Sequence, residues 1–213
     1  MSSLRIARQT GICALFSATA NLALATVITF SPLTGPTDAS YLGHSEGGFT
    51  VTPASGSFFQ ALLYGNPIPS IYDGPILQPS TAAIQVTQGG ALFTFNSVDY
   101  SSNNGDALYS IQGFNGASVA YNDTGVLAGT FGPFTFSTLP GAHTHVTIDR
   151  LLITVSPGAG VTSVNLDNIN LGSGVPEPAT LAMLGAGLCS LFGLKTLRRP
   201  SRPRGFRAPR AAA

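Results

Sequence analysis

The sequence predicts an all-β fold, a jelly-roll-like β-sandwich flanked by an N-terminal signal helix and a C-terminal transmembrane helix. Three observations carry this. Gly (25) and Pro (15) are plentiful while charged residues make up only 9% of the 213 positions, a composition suited to short strands and many turns. From Gly47 onward, short apolar-alternating runs are separated by Gly, Asn, Ser and Pro clusters, with no sustained helical period. Each end carries an uncharged apolar stretch bordered by basic residues.

At the N-terminus, Arg5 and Arg8 precede an uncharged run from Gly11 to Phe30, which contains two small-residue sites, Ala18-Thr19-Ala20 and Ala23-Leu24-Ala25. This is the pattern of a secretory signal, which implies signal peptidase and the Sec export machinery as partners. Cleavage after Ala25 is preferred, giving a signal peptide over 1–25; an uncleaved anchor is the alternative, because the run is just long enough to span a bilayer. Residues 26–46 then read as a flexible lead.

The β-sandwich domain is expected over 47–172. Candidate strands are 48–52, 58–64, 82–87, 91–96, 108–114, 118–122, 133–137, 145–155 and 163–171, with 61–81, which holds four prolines, as a long loop. Two strands change parity partway along. Val146 and Ile148 share one face and Leu151, Ile153 and Val155 the other; Val164 and Leu166 give way to Ile169 and Leu171. A β-bulge or a strand crossing between sheets is expected at Asp149-Arg150 and at Asp167-Asn168.

At the other end, Val175-Pro176-Glu177-Pro178-Ala179-Thr180 leads into an apolar run closed by Lys195, Arg198 and Arg199. The prolines keep the chain extended, a helix over 179–197 has membrane length, and the basic residues hold their side in the cytoplasm. The segment 173–200 resembles the PEP-CTERM sorting signal of Gram-negative bacteria that make exopolysaccharide. The resemblance implies recognition by an exosortase, cleavage near Pro176-Glu177-Pro178, transient residence in the inner membrane and release to the cell surface or matrix. The basic Pro/Arg tail over 201–213 extends beyond where such signals usually stop.

The runs Phe93–Asp99, Ile111–Phe114, Val146–Ile148, Leu151–Thr154 and Leu166-Asp167-Asn168-Ile169-Asn170-Leu171 are similar to the galactose-binding-like jelly rolls found in many PEP-CTERM proteins. That resemblance implies a carbohydrate-binding sandwich, with exopolysaccharide as a partner, and carries over one position: Asp167, as a calcium ligand or a strand-anchoring carboxylate. Structural calcium is the one cofactor to consider.

Charge and cysteine narrow the functions. Between residues 26 and 175 eight acids face one base, Arg150, a formal charge of −7, so nucleic acid is an unsuitable partner. Cys13 and Cys189 lie in the terminal segments, leaving no disulfide, thiolate nucleophile or Cys-based zinc site between them. The only glutamates are Glu46 and Glu177, there is no Gly-x-Ser-x-Gly elbow, and a glycosidase needs two carboxyl groups flanking the bond. The reading is therefore non-catalytic, with no catalytic residue assigned; a secreted glycan hydrolase and a purely structural matrix component are the alternatives.

Among single sites, Asp99, Ser101, Asn103 and Asp106 form an oxygen-rich segment with Gly105 one place late for a calcium loop, and Asn104-Gly105 reads as a hairpin turn. His143 and His145 would share a strand face but lack further ligands nearby. Of Tyr64, Tyr72, Tyr100, Tyr109 and Tyr121, Tyr100 is the candidate for glycan stacking, placed in a loop beside Asp99.

Overall fold

A computed structural model describes residues 25–75 and 77–173. Residues 1–24 of the expected signal peptide, including Ala23, the sorting motif Val175, Pro176, Glu177 and Pro178, the span over 179–197 and the stop residues Lys195, Arg198 and Arg199 lie outside the described residues, and Ala25 is the first described. Among those described, no helix is long and apolar enough to cross a membrane.

Two sheets face each other. The first carries β4 (Phe58–Ala61), β5 (Ser70–Asp73), β13 (Ser163–Ser173) and β7 (Phe93–Asn103) in spatial order. β1 (Ala25–Ile28) continues the β5 side of β13, while β10 (Gly129–Thr130) and β11 (Ser137–Pro140) share the far side of β7. The second sheet is antiparallel throughout. It runs β2 (His44–Glu46), β3 (Phe49–Ser55), β6 (Ala82–Thr87), β12 (Arg150–Pro157), β8 (Ala107–Asn115) and β9 (Ser118–Leu127). This is the β-sandwich that the alternation predicted.

The core lies between the sheets. Phe49, Val51, Ile84, Val86, Ile111, Leu151, Ile153 and Val155 come from one sheet; Ile28, Ile71, Phe93, Phe95, Val98, Val164, Leu166, Ile169 and Leu171 come from the other. All are buried, and each contributes on the order of 1.5–3 kcal/mol relative to exposure. The alternation of Leu151, Ile153 and Val155 with half-buried Leu152 and Thr154 is the two-residue period seen directly.

Both expected parity changes are present, with different causes. In β13 the register with β7 shifts after Asp167, where Asn168 adopts φ 42°, so that Leu166 and Ile169 both point inward although three residues apart. At 149–150 the chain changes sheets. Ile148 exchanges two 2.8 Å backbone hydrogen bonds with Phe93 of β7, and from Arg150 the chain pairs with β6 and β8.

Several expectations are corrected. The lead over 26–46 is built into both sheets: β1 pairs with β13, β2 pairs with β3, and Ile28, Phe30 and Tyr41 are buried. Glu46 fastens it by accepting hydrogen bonds from Thr29 N (3.1 Å), Thr29 Oγ1 (2.7 Å) and Phe30 N (3.0 Å). Burial raises the Glu46 carboxyl, but these bonds and one from His44 outweigh it and hold it below the usual range; His44 is also lowered, chiefly by burial. The 3.3 Å His44–Glu46 contact is thus a neutral imidazole on a carboxylate at neutral pH. The loop expected over 61–81 contains β5, whose Ser-Ile-Tyr-Asp run was hidden among prolines. Asn104-Gly105 is a turn, with Asn104 at φ 64°, yet it joins β7 and β8 of opposite sheets and so is no hairpin. Asn115 pairs with Ser118 across Gly116 and Ala117 in a true one, Gly116 taking φ 59°.

Candidate binding site

Beyond the bulge in their pairing, β7 and β13 direct a polar row away from the core. Asp99, Ser101 and Asn103 stand opposite Asp167, Asn165 and Ser163, while Tyr72 of β5 stands on the other side of Asn165. The row is nearly dry: Asn165 is 2% exposed and Asp167 is fully buried. A buried amide or carboxylate must find partners, and here they come from within the row, from Ser70 of β5 and from the loop between β4 and β5.

The hydrogen bonds form a circuit on one residue. The Tyr64 hydroxyl bonds Ser101 Oγ at 2.9 Å, Ser101 donates to Asn103 Oδ1 at 2.7 Å, and Asn103 Nδ2 donates to Ser163 Oγ at 2.9 Å. Ser163 donates to Asn165 Oδ1 at 3.3 Å, Asn165 Nδ2 to Ser70 Oγ at 3.3 Å, and Ser70 Oγ to the Tyr64 carbonyl at 2.7 Å. Tyr64 is therefore held at both its hydroxyl and its backbone, and its ring leans on Phe136 with centroids 5.1 Å apart.

Beside this circuit lies a pocket of about 460 Å³. Asn103, Asn104, Thr162, Ser163 and Asn165 line one part, with Tyr64, Tyr72, Leu63, Leu77 and Phe134 lining the apolar part. Tyr72 is fixed by its hydroxyl, which donates to Asp38 Oδ1 at 2.8 Å. Leu63, Leu77 and Phe134 remain 80%, 71% and 38% exposed, an apolar rim above a polar floor. Such a site suits a ligand with one apolar face and a hydroxyl-bearing edge.

Asp167 uses both carboxylate oxygens on backbone donors, Asn66 N at 2.6 Å and Asn168 N at 2.8 Å, so its observed contacts are those of an anchor for the Tyr64 loop. Asn168 Nδ2 completes the attachment by donating to Asp99 Oδ2 at 2.9 Å and to the Asn66 carbonyl. Burial pushes the Asp167 carboxyl up to about 6 against those two N–H bonds, with Asp99 and Glu46 adding to the rise. No group of three or more His, Cys, Asp or Glu among the described residues is arranged to hold a metal. Asp106 is elsewhere, accepting from Gly129 N at 2.7 Å, so the oxygen-rich segment is not a loop around one point.

Tyr100 is not in a loop. It lies within β7, paired to Ser137 and Leu166, and its half-buried side chain packs against the core. Tyr64, another of the tyrosines weighed from the sequence, lines the pocket instead; the surrounding prolines, which suggest a featureless loop, conceal its placement. His143 and His145 fall in the turn before Val146 rather than on a strand; His143 contacts Asp123 at 3.0 Å and stacks on Tyr121.

The architecture defines a two-sheet β domain with a pocket on the outer face of one sheet, joined to a tail of known type. Residues 174–199 match the family model of the PEP-CTERM protein-sorting motif, which directs exosortase-dependent export. No curated protein matches the chain. Solved structures similar to it include a family 29 carbohydrate binding module from Piromyces equi, at 12% identity over 73% of this chain and 93% of that one, TM-score 0.42. A family 29 module variant complexed with mannohexaose gives 17% identity, 72% and 94% coverage and a TM-score of 0.42. The family 32 module from C. perfringens NanJ, in complex with galactose, gives 15%, 67%, 98% and 0.40. At these values the likeness is distant.

Proposed function

We propose that the protein is an exosortase-sorted surface or matrix component whose sandwich binds neutral polysaccharide in the pocket beside Tyr64, without catalysis. The observation that carries this reading is the hydrogen-bond circuit that fixes Tyr64 at the edge of an amide- and hydroxyl-lined floor. A rigid ring and preset amides spare the protein its own ordering cost, so that only the ordering of the ligand opposes binding. The single cation of the domain, Arg150, lies over the Phe114 ring at 3.9 Å on the other sheet, consistent with an uncharged ligand. Asp99 and Asp167 face each other across β7 and β13, yet neither lines the pocket, and Asp167 is occupied by backbone donors. This arrangement favours binding over hydrolysis.

The test is a neutral-glycan array with the purified protein and its Tyr64→Ala variant. Retention of at least one glycan, weakened about tenfold or more by the substitution, is expected; no retention across the array sinks the binding reading. Mass spectrometry of the secreted form tests the sorting half, with a C-terminus near Val175–Pro178 expected and an extracellular protein retaining Arg198-Arg199 as the contrary result.

A further inference from the structure

A second concavity, of about 440 Å³, opens between the sheets at the edge where β9 approaches β11. Tyr109 and Ile111 of β8, Asp123 of β9, and Leu139 and Pro140 of β11 line it, and it shares no residue with the pocket beside Tyr64. The sequence of the β8–β9 hairpin produces it. Tyr109 stands opposite Gly125, and Tyr121 stands opposite Gly113. A Cβ at Gly125 would lie 2.8 Å from the Tyr109 ring, and one at Gly113 would collide with the Tyr121 ring. Each tyrosine thus lies down on its neighbour strand, where a larger residue would push it toward the opposite sheet.

Between the two tyrosine positions along the hairpin sits Asp123, opposite Ile111, with its carboxylate 3.0 Å from His143 Nε2. The His143 ring stacks on Tyr121 with centroids 4.7 Å apart and planes at 21°. The Tyr121 hydroxyl is buried with no hydrogen-bond partner among the described residues. The cleft itself combines the Tyr109 ring, the Asp123 carboxylate, the Asn122 and Thr124 side chains and no lysine or arginine, while Tyr121 and His143 hold Asp123 in place without lining it. Anions are disfavoured there by Asp123, and neutral polyols are accommodated.

We propose that this cleft is a second site for neutral polysaccharide, so that one molecule grips two segments and cross-links chains. The proposal rests on the glycan reading of the first pocket. Two weak sites on one body raise avidity and join separate polymers without any new contact.

The experiment titrates the purified full-length protein with cellohexaose, mannohexaose and galactohexaose, and follows turbidity with galactomannan and glucomannan. Three forms are compared: the native chain, Tyr64→Ala, and Ala142→Arg, which fills the cleft from an exposed position without touching the core. A stoichiometry of two in the native chain is expected, reduced to one in each variant, with turbidity lost in both while binding persists. The conservative Asp123→Asn should weaken only the site that survives in Tyr64→Ala. A stoichiometry of one that Tyr64→Ala abolishes and Ala142→Arg leaves intact overturns the second site alone. Absence of binding by the native chain overturns both readings together.

Discussion

Asp73 is fully buried, accepts Val164 N at 2.6 Å through Oδ1, and leaves Oδ2 without a partner among the described residues. It extends the short β5–β13 ladder, which ends at Tyr72 and Asn165, by substituting a side-chain acceptor for a backbone one. Burial pushes its carboxyl up to about 7 against the N–H bonds from Val164 and its own backbone. A carboxyl raised in the fold favours the protonated form there, so its effect on stability worsens as pH climbs from about 4 to about 7 and then levels off. Asp167, raised to about 6, acts in the same direction. Asp73→Asn should therefore raise stability by roughly 1–3 kcal/mol at pH 8, with the gain vanishing near pH 4. Urea unfolding across that range checks it; a difference independent of pH would show that the carboxylate is not paying a burial cost in the fold. Neither behaviour is legible in the sequence, where Asp73 is one more loop aspartate before Gly74.

At the scale of elements, β1 matters more than its four residues suggest. It pairs Ala25 to Ile28 with Gly172 to Ile169, covering the half of β13 that β5 does not reach. Without it, β13 would present an open edge and Ile28 would leave the core. Deleting residues 1–28 should abolish a cooperative unfolding transition or shift it sharply downward, as followed by far-UV circular dichroism; an unchanged transition would mean β1 is dispensable. Glu46→Ala, which removes the acceptor for Thr29 and Phe30, should cost about 1–3 kcal/mol in chemical denaturation. The alternation made 82–87 legible to the residue, since Ala82–Thr87 is central and apolar on one face. It failed at β1 and β2 because both are short edge elements, and at β5 because Ser70, Ile71, Tyr72 and Asp73 are all buried, which erases the two-residue contrast.

For the molecule as a whole, charge separates the described domain from its flanks. Arg150 is the lone base between residues 26 and 175, against eight acids. Polysaccharide binding through hydroxyls and aromatic faces involves no ion pair, so raising sodium chloride should leave affinity nearly unchanged. The same protein should pass through immobilised DNA or heparin without retention. A steep salt dependence of glycan affinity would instead point to an acidic or sulfated ligand and to contacts through the basic tail.

The sequence by itself determined the sandwich class, the two parity changes and the sorting tail, because each is written in local periodicity or a contiguous motif. Only the tertiary structure decided the site. Tyr64, Ser70, Ser101, Asn103, Ser163 and Asn165 come from strands and a loop scattered over a hundred residues, and no local pattern marks them as partners. What joins them is the requirement that buried polar groups be satisfied once two sheets have closed and a loop has folded over one face. That demand moved the aromatic candidate from Tyr100, which turns toward the core, to Tyr64, which the circuit holds over the floor.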